Sequence, residues 1–332
     1  MFKPKAIYFE KEIVNYPLGI QLMEQYKEIP KVEIKNHNNI EEMRKKQNSE
    51  FVNMKSNLII GVRKTHKFVE NYKTSDYLVP YTSSGCTAMC MYCYLVCNYN
   101  KCAYLRLFVN REQMLEKIIK VAKQSEKQLT FEIGSNSDLI LENTITGNLV
   151  WTIENFANTE KGLLTLPTKF EMVDSILPLN HNGKIIIRMS VNPAEIINKV
   201  EFGTSRLKGR IEAINKLVEA GYKIGILIAP VILVENWQQL YTELIQTLNS
   251  ELLEKAKKMA FFEIIFMTYS YVHTKINEEA FPEAINLYDK EIMTGRGNGK
   301  YGYKEKNRIE AEKFLREQMN KYFPNNRIEY VV

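Results

Sequence analysis

The stretch Gly85-Cys86-Thr87-Ala88-Met89-Cys90-Met91-Tyr92-Cys93-Tyr94 constrains this chain more than any other, because it packs three of the five cysteines into eight residues directly after the apolar run Tyr77-Leu78-Val79-Pro80-Tyr81. Three thiols so close in one loop point to a metal. A closed structural zinc site takes four tetrahedral ligands, usually as two separated pairs, and no second CxxC or histidine pair follows. A four-iron cluster is held by thiolates from closely spaced loop cysteines, and with only three supplied one iron keeps an open position for a small ligand. The spacing Cys-x3-Cys-x2-Cys therefore favours an iron–sulfur cluster, with a structural zinc as the alternative. The loop also falls where the first strand of a β/α barrel would end, the edge at which such barrels carry their chemistry.

The rest of the chain supplies the barrel. From Tyr77 onward, short apolar strands alternate with amphipathic helices. Strands are expected at Ala103 to Val109, Gln128 to Ile133, Gly162 to Leu166, Lys184 to Val191, Tyr222 to Val231 and Ala260 to Met267. Helical spacing appears in Met114, Ile118 and Val121 after the cap Asn110, and in Leu207, Ile211, Ile214 and Val218 before the stop at Gly221. No dinucleotide glycine fingerprint is present, so the expected fold is α/β, a partial (β/α)6-type TIM-like barrel rather than a Rossmann sheet. Residues 1–75 read as an N-terminal extension of mixed structure, 76–270 as the barrel, and 271–332 as a C-terminal segment with a β-hairpin and a docking helix. Polar residues lie just where strands finish, at Ser137-Asp138, Thr168-Lys169, Ser190-Val191-Asn192 and Ala229-Pro230, and these join the cysteine loop as the candidate site.

With 45% hydrophobic residues over 332 positions, the chain can bury one large core. Met1 to Ala6 shows no apolar leader, and the longest uncharged apolar run, Gly225 to Val234, is too short to span a bilayer. An odd number of cysteines crowded between Cys86 and Cys102 speaks for a reducing compartment. A cytoplasmic protein with no membrane partner is expected. The net charge of +6 is modest but concentrated in Arg63-Lys64-Thr65-His66-Lys67 and between Arg296 and Arg308. Within the second region, glycines alternate with basic and aromatic residues from Thr294 to Lys304, a β-hairpin pattern turning at Asn298-Gly299. Arg296, Lys300, Tyr301, Tyr303 and Lys304 are candidate DNA contacts, since basic groups suit phosphates and aromatic faces suit unstacked bases.

The cysteine spacing, with a tyrosine before the last cysteine, resembles that of the radical S-adenosyl-L-methionine (SAM) enzymes. From about Asp76 onward the sequence resembles the spore photoproduct lyase family. The resemblance rests on Tyr92 and Tyr94 flanking Cys93, on Tyr104-Leu105-Arg106-Leu107-Phe108-Val109-Asn110, on Phe131-Glu132 running into Ser137-Asp138, on Thr168-Lys169-Phe170, Arg188-Met189-Ser190 and the glycine hairpin, and on Phe323-Pro324 leading to Arg327-Ile328-Glu329-Tyr330. It implies a barrel of the radical SAM type, a [4Fe-4S] cluster on Cys86, Cys90 and Cys93, and SAM contacts from Ser137, Asp138, Lys169, Ser190 and Ala229. The implied reaction is repair of the ultraviolet lesion 5-thyminyl-5,6-dihydrothymine in double-stranded DNA by a SAM-derived 5′-deoxyadenosyl radical, restoring two thymines. The implied partners are lesion-bearing DNA and an electron donor such as a flavodoxin or ferredoxin, in the spore core of an endospore-forming bacterium.

One position departs from the family pattern. Better-known members resemble Phe-Glu-x-x-Cys-Thr-Ser-Asp where this chain has Ser135 and Asn136, and that cysteine donates a hydrogen atom to the product radical. A serine O–H bond is too strong for the task. Cys97, four residues after Cys93 and one turn away on a helix, is the candidate donor, with Tyr92 and Tyr94 passing the hydrogen back. Two other functions stay open at this point: radical SAM chemistry on RNA or a peptide, and a non-catalytic metal-cluster protein that binds nucleic acid.

Overall fold

A computed structural model describes residues 2–332. Two mainly parallel sheets share the segment that carries the cysteines. The larger passes through Tyr77–Leu78, Thr130–Glu132, Leu163–Thr168, Ile185–Val191, Lys223–Val231 and Phe261–Phe266, each parallel to the next and all in chain order. Ile328–Val331 extends one edge in parallel, and Val69–Glu70 closes the other as an antiparallel strand. Strands that succeed one another in this way, with their connections crossing outside, curl into the expected half-barrel. Its strands are covered on both faces: in Ile185–Val191 the side chains of Ile187, Arg188, Met189, Ser190 and Val191 are all buried. The helix Leu207–Glu219 supplies part of that cover through Leu207, Ile211, Ile214 and Val218.

The smaller sheet has the order Lys31–Ile34, Ile7–Glu10, Leu58–Gly61, Leu105–Phe108, Ser83–Ser84, with the first four strands parallel and the last antiparallel. The strand expected at Ala103 to Val109 therefore forms, but outside the barrel. Alternation explains why it fits here. Leu58, Ile60, Leu105 and Leu107 share one face with Leu18 and Leu22 of the helix Pro17–Gln25, while Tyr8, Ile59 and Tyr104 share the other with Met43 and Met54. Residues before position 75 thus build three strands of a sheet with helices on both faces, where sequence periodicity offered only a mixed extension.

A third, three-stranded antiparallel sheet joins Tyr269–Ser270 to the hairpin Met293–Gly295 and Lys300–Tyr303. Asn298 and Gly299 both have positive φ, as the expected turn requires. The helix Glu305–Tyr322 buries Ala311, Leu315 and Met319 and docks on the helix Trp237–Glu251, with Phe314 edge-on to Trp237 at 5.1 Å. Among the described residues no helix is long and apolar enough to cross a membrane.

Candidate active site

The cysteine loop is built by contacts from all parts of the chain. It leaves the barrel through Ser83–Ser84, and Thr82 and Ser83 donate hydrogen bonds of 2.9 and 2.5 Å to the buried Glu142 carboxylate. Gly85 then turns with φ +76, and a Cβ there would lie 1.9 Å from the Tyr104 carbonyl oxygen, so only glycine fits. The buried Lys55 ammonium donates to the carbonyls of Cys86 and Ala103 at 2.9 and 2.8 Å. Met89–Cys90 pairs with Glu201–Phe202, and the Asn277 amide donates to the Met91 carbonyl at 2.8 Å. His273 Nε2 lies 3.1 Å from the Cys93 carbonyl, which can only accept, so this nitrogen carries the proton and Nδ1 accepts from the Ser270 hydroxyl at 2.7 Å. Burial pushes His273 down to about 4, which keeps the ring neutral in that role.

Cys86, Cys90 and Cys93 line one cleft of about 740 Å³ at the carboxyl ends of the barrel strands. Burial pushes the Cys86 thiol up to about 12 and the Cys90 thiol higher, so both hold their protons unless a cation sits beside them. Among the described residues no three His, Cys, Asp or Glu side chains converge as ligands of a single ion. A polynuclear cluster asks for something else, one thiolate per iron, and three thiols spaced along one cleft wall fit it.

The strand-end residues line the same cleft. The Ser137 hydroxyl is buried without a hydrogen-bond partner, an orphan that a bound polar ligand would satisfy. Asp138 caps the helix Leu139–Thr146, accepting from the amides of Ile140 and Leu141 at 3.1 and 3.2 Å. It also accepts from the Thr168 hydroxyl and the Lys169 amide, so its carboxylate is occupied in holding the turn. Lys169 Nζ reaches Ser190 Oγ at 2.6 Å, the Ala229 carbonyl at 2.9 Å and Glu201 at 3.2 Å.

Glu201 is the residue that sequence reasoning missed. It is 2% exposed and lies at the hub of the site, accepting from Arg210 at 2.5 Å, from Asn192 at 3.1 Å and from the Tyr92 hydroxyl. Burial alone would raise its pKa, but the Lys169 and Arg210 charges with the Tyr92 hydroxyl bring it down to about 2. Its backbone also pairs with Cys90, so one residue joins the cysteine loop to the strand-end cluster. Deeper in the cleft, Arg188 is buried between Glu132 at 2.5 Å and Glu263 at 3.1 Å, and the Tyr330 hydroxyl donates to Glu263 at 2.6 Å. The motif residues Glu132, Arg188 and Tyr330 thus form one ion network. No local sequence signal marks Glu201 or Arg210, because their partners arrive only through tertiary contact.

Some expected residues are not brought together. Tyr92 and Tyr94 line the cleft, the latter 52% exposed, but Cys97 does not. Its thiol lies 3.4 Å from Ser270 Oγ and 4.0 Å from His273 Nδ1, away from the cleft. The helix begins only at Leu95, so Cys93 is outside it and helical spacing does not relate the two cysteines. Cys102 is buried in the core of the smaller sheet. On the hairpin, Arg296, Lys300 and Lys304 are exposed, whereas Tyr303 is a correction: it is buried, and its hydroxyl accepts from the Leu233 amide at 2.9 Å. Tyr301, two residues earlier on the same strand face, is half-buried against Tyr288. Arg296 folds back to donate to the Tyr303 carbonyl, and Lys304 donates to the Glu291 carbonyl.

Comparison with known proteins agrees with this geometry along the whole chain. The family profile described as spore photoproduct lyase matches residues 2–332. A spore photoproduct lyase of Bacillus subtilis is 33% identical over 99% of this chain and 98% of its own length, and one of Clostridium acetobutylicum is 30% identical over the same shares. A mutant spore photoproduct lyase solved with bound AdoMet and dinucleoside spore photoproduct superposes with a TM-score of 0.92 at 32% identity, covering 100% of this chain and 99% of that one. A second solved lyase, complexed with the dinucleoside lesion, superposes equally well. With its half-barrel, its three-cysteine cleft and a match from end to end, the chain belongs to the spore photoproduct lyase family.

Proposed function

We propose that this chain repairs the spore photoproduct in double-stranded DNA, using a [4Fe-4S] cluster on Cys86, Cys90 and Cys93 and SAM held at the strand ends. The observation that carries the reading is the convergence of these thiols with the unpartnered Ser137 hydroxyl and the Lys169, Ser190 and Ala229 cluster on one cleft. When bound, the cluster and SAM supply the one-electron chemistry that starts cleavage of the lesion. Ser137, Ser190 and the Ala229 carbonyl bind hydroxyl and ammonium groups, and Lys169 takes a carboxylate. Asp138 acts through the turn it caps. Residues 76–270 carry this chemistry, and 271–332 bring the DNA to it.

The hydrogen donor is specific to this chain. Ser135 lines the cleft where the family resemblance expects a thiol, and among the described residues no other cysteine than the three ligands lines it. Tyr92 and Tyr94 are the phenols of the cysteine loop that line the cleft, and hydrogen return runs through them, with Glu201 fixing Tyr92. The hairpin pairs with Tyr269–Ser270, directly after the cleft residues Met267 and Thr268. From there Arg296, Lys300 and Lys304 hold phosphates flanking a lesion that has left the stack. A small redox protein supplies electrons, and the setting is the spore core. The test is anaerobic incubation of the iron- and sulfide-reconstituted protein with dithionite, SAM and dinucleoside spore photoproduct. Release of two thymidines is expected; SAM cleavage without thymidine overturns the substrate, and absence of SAM cleavage overturns the chemistry.

A further inference from the structure

The cysteine loop is gripped by groups of two kinds. Asn277 and His273 give neutral donors to the carbonyls of Met91 and Cys93, whereas Lys55 brings a full positive charge to that of Cys86. Its placement is firm. Lys55 follows the short helix Phe51–Met54, and the next strand, Leu58–Gly61, pairs with Leu105–Phe108, so the side chain is carried by the smaller sheet. From there Nζ donates to the carbonyls of Cys86 and Ala103 at 2.9 and 2.8 Å. The Ala103 carbonyl also accepts from the Cys86 amide at 3.3 Å, so the ammonium touches one end of Cys86 directly and shares an acceptor with the other.

No carboxylate neutralises this charge. Lys55 is 3% exposed, and among the described residues its Nζ meets two carbonyls and the Phe51 ring, 5.2 Å from the ring centre, with no carboxylate at ion-pair distance. The buried carboxylate of the same sheet, Glu10, is taken by the His37 amide and ring, both at 2.9 Å. Asp138, whose charge reaches Cys86, is engaged by the Thr168 hydroxyl and by the amides of Ile140, Leu141 and Lys169. Lys169, which acts on Cys90, differs in kind, because Glu201 lies 3.2 Å from it. A lysine is almost never fully buried unless paired, since stripping water from a full charge costs more than dipoles return. The charge is short of a counter-ion, and the groups beside it are the thiols. Burial pushes the Cys86 thiol up, and the Lys55 charge works against that push.

We propose that Lys55 is the built-in counter-ion of the cluster on Cys86, Cys90 and Cys93, and that its charge makes that cluster easier to reduce. The inference rests on the cluster reading given above and deepens it. Three thiolates outweigh the charge of an oxidised four-iron core, so the assembled group is an anion, and an added electron makes it more negative. A fixed cation beside it stabilises the more negative form. Lys55 therefore raises the potential at which the electron enters, net charge being one of the levers a protein has over such a group. The electron donor then needs less driving force.

The test is an anaerobic redox titration of the full-length, iron- and sulfide-reconstituted protein with mediator dyes, read by electron paramagnetic resonance of the reduced cluster without SAM or DNA. Lys55→Gln removes the charge and keeps an N–H donor. At the parent's midpoint potential it should hold about tenfold more oxidised than reduced cluster, a downward shift of about 59 mV for a one-electron couple. Lys55→Arg keeps the charge and should stay near the parent. Asn277→Ala removes a neutral grip from the same loop and should also stay near it, whereas a purely mechanical role for Lys55 would make the two losses alike. If Lys55→Gln takes up no iron while Lys55→Arg loads as the parent does, the charge is needed for assembly and the inference stands; if neither loads, the position is one of shape and the inference falls. Equal potentials in the loaded parent and Lys55→Gln overturn the inference and leave the cluster reading intact. A parent that binds no iron and sulfide overturns both.

Discussion

The half-barrel and the smaller sheet use the same architecture to opposite electrostatic ends. In the barrel the buried ions of the cleft meet opposite charges, Glu201 those of Lys169 and Arg210, Arg188 those of Glu132 and Glu263. Three thiols and the Ser137 hydroxyl are left over there, besides Thr165 Oγ1 and Arg188 Nε, and the thiols and the serine suit a cluster and a polar cofactor. In the smaller sheet the one buried carboxylate is consumed locally and a guanidinium is left short of an acceptor. Parallel strand ends therefore set where a site forms, while the groups left without partners there set what it takes.

The largest expected effect lies in the barrel. Cys93→Ala should reduce SAM cleavage to background and leave the chain short of iron, measured by iron analysis and 5′-deoxyadenosine formation; wild-type levels of either would break the contrast at its root. Next comes Glu201→Ala, which strands the buried Arg210 and the half-buried Lys169 and should cost about 3–5 kcal/mol in denaturant unfolding, with Glu201→Gln recovering part of it. The pH dependence has a definite sign. A carboxyl lowered from 4.5 to about 2 contributes its full stability above about pH 4.5 and loses it as the pH falls through about 2. That acid-labile component should be missing from Glu201→Gln.

A smaller effect is expected at the hairpin. Replacing Arg296, Lys300 and Lys304 by Ala should lower the salt slope of duplex binding by up to about three units, since each lost phosphate contact removes about one. Tyr303→Phe should leave that slope alone and cost about 1 kcal/mol of stability through the lost bond from the Leu233 amide. The smallest change is expected from Cys97→Ser, with thymine yield per SAM consumed equal to the parent's. A large fall in that yield would return Cys97 to the hydrogen pathway in place of the tyrosines.

Much of the barrel was legible because its signals are local. Each long strand from Leu163–Thr168 to Phe261–Phe266 has its own apolar run, helices follow Ile185–Val191 and Lys223–Val231 while turns alone join Leu163–Thr168 to the next strand, and the strand-end rule then gathers Ser137, Lys169, Ser190 and Ala229 without any knowledge of contacts. The smaller sheet was not legible. Its four parallel strands are four residues long, and the fourth, Leu105–Phe108, arrives from between two barrel elements, so nothing nearby in sequence marks its membership. Tyr303 is turned inward by the alternation along its strand, and Cys97 lies off the cleft, the helix that carries it starting only at Leu95. Glu201 escaped notice for a different reason: a single acid in an amphipathic stretch has no pattern until the fold brings it four partners.

The grip on the cysteine loop sets an order of manufacture. The loop is clamped by Lys55 from before it and by Glu201, His273 and Asn277 from well after it. A chain still being synthesised presents its cysteines long before the later clamps exist, and thiols exposed at that stage are open to stray metals and oxidants. Loading of the proposed cluster would therefore belong after the chain is complete. A protein lacking the helix Tyr271–Ala280 should keep its cysteines yet lose the shape that makes them a site.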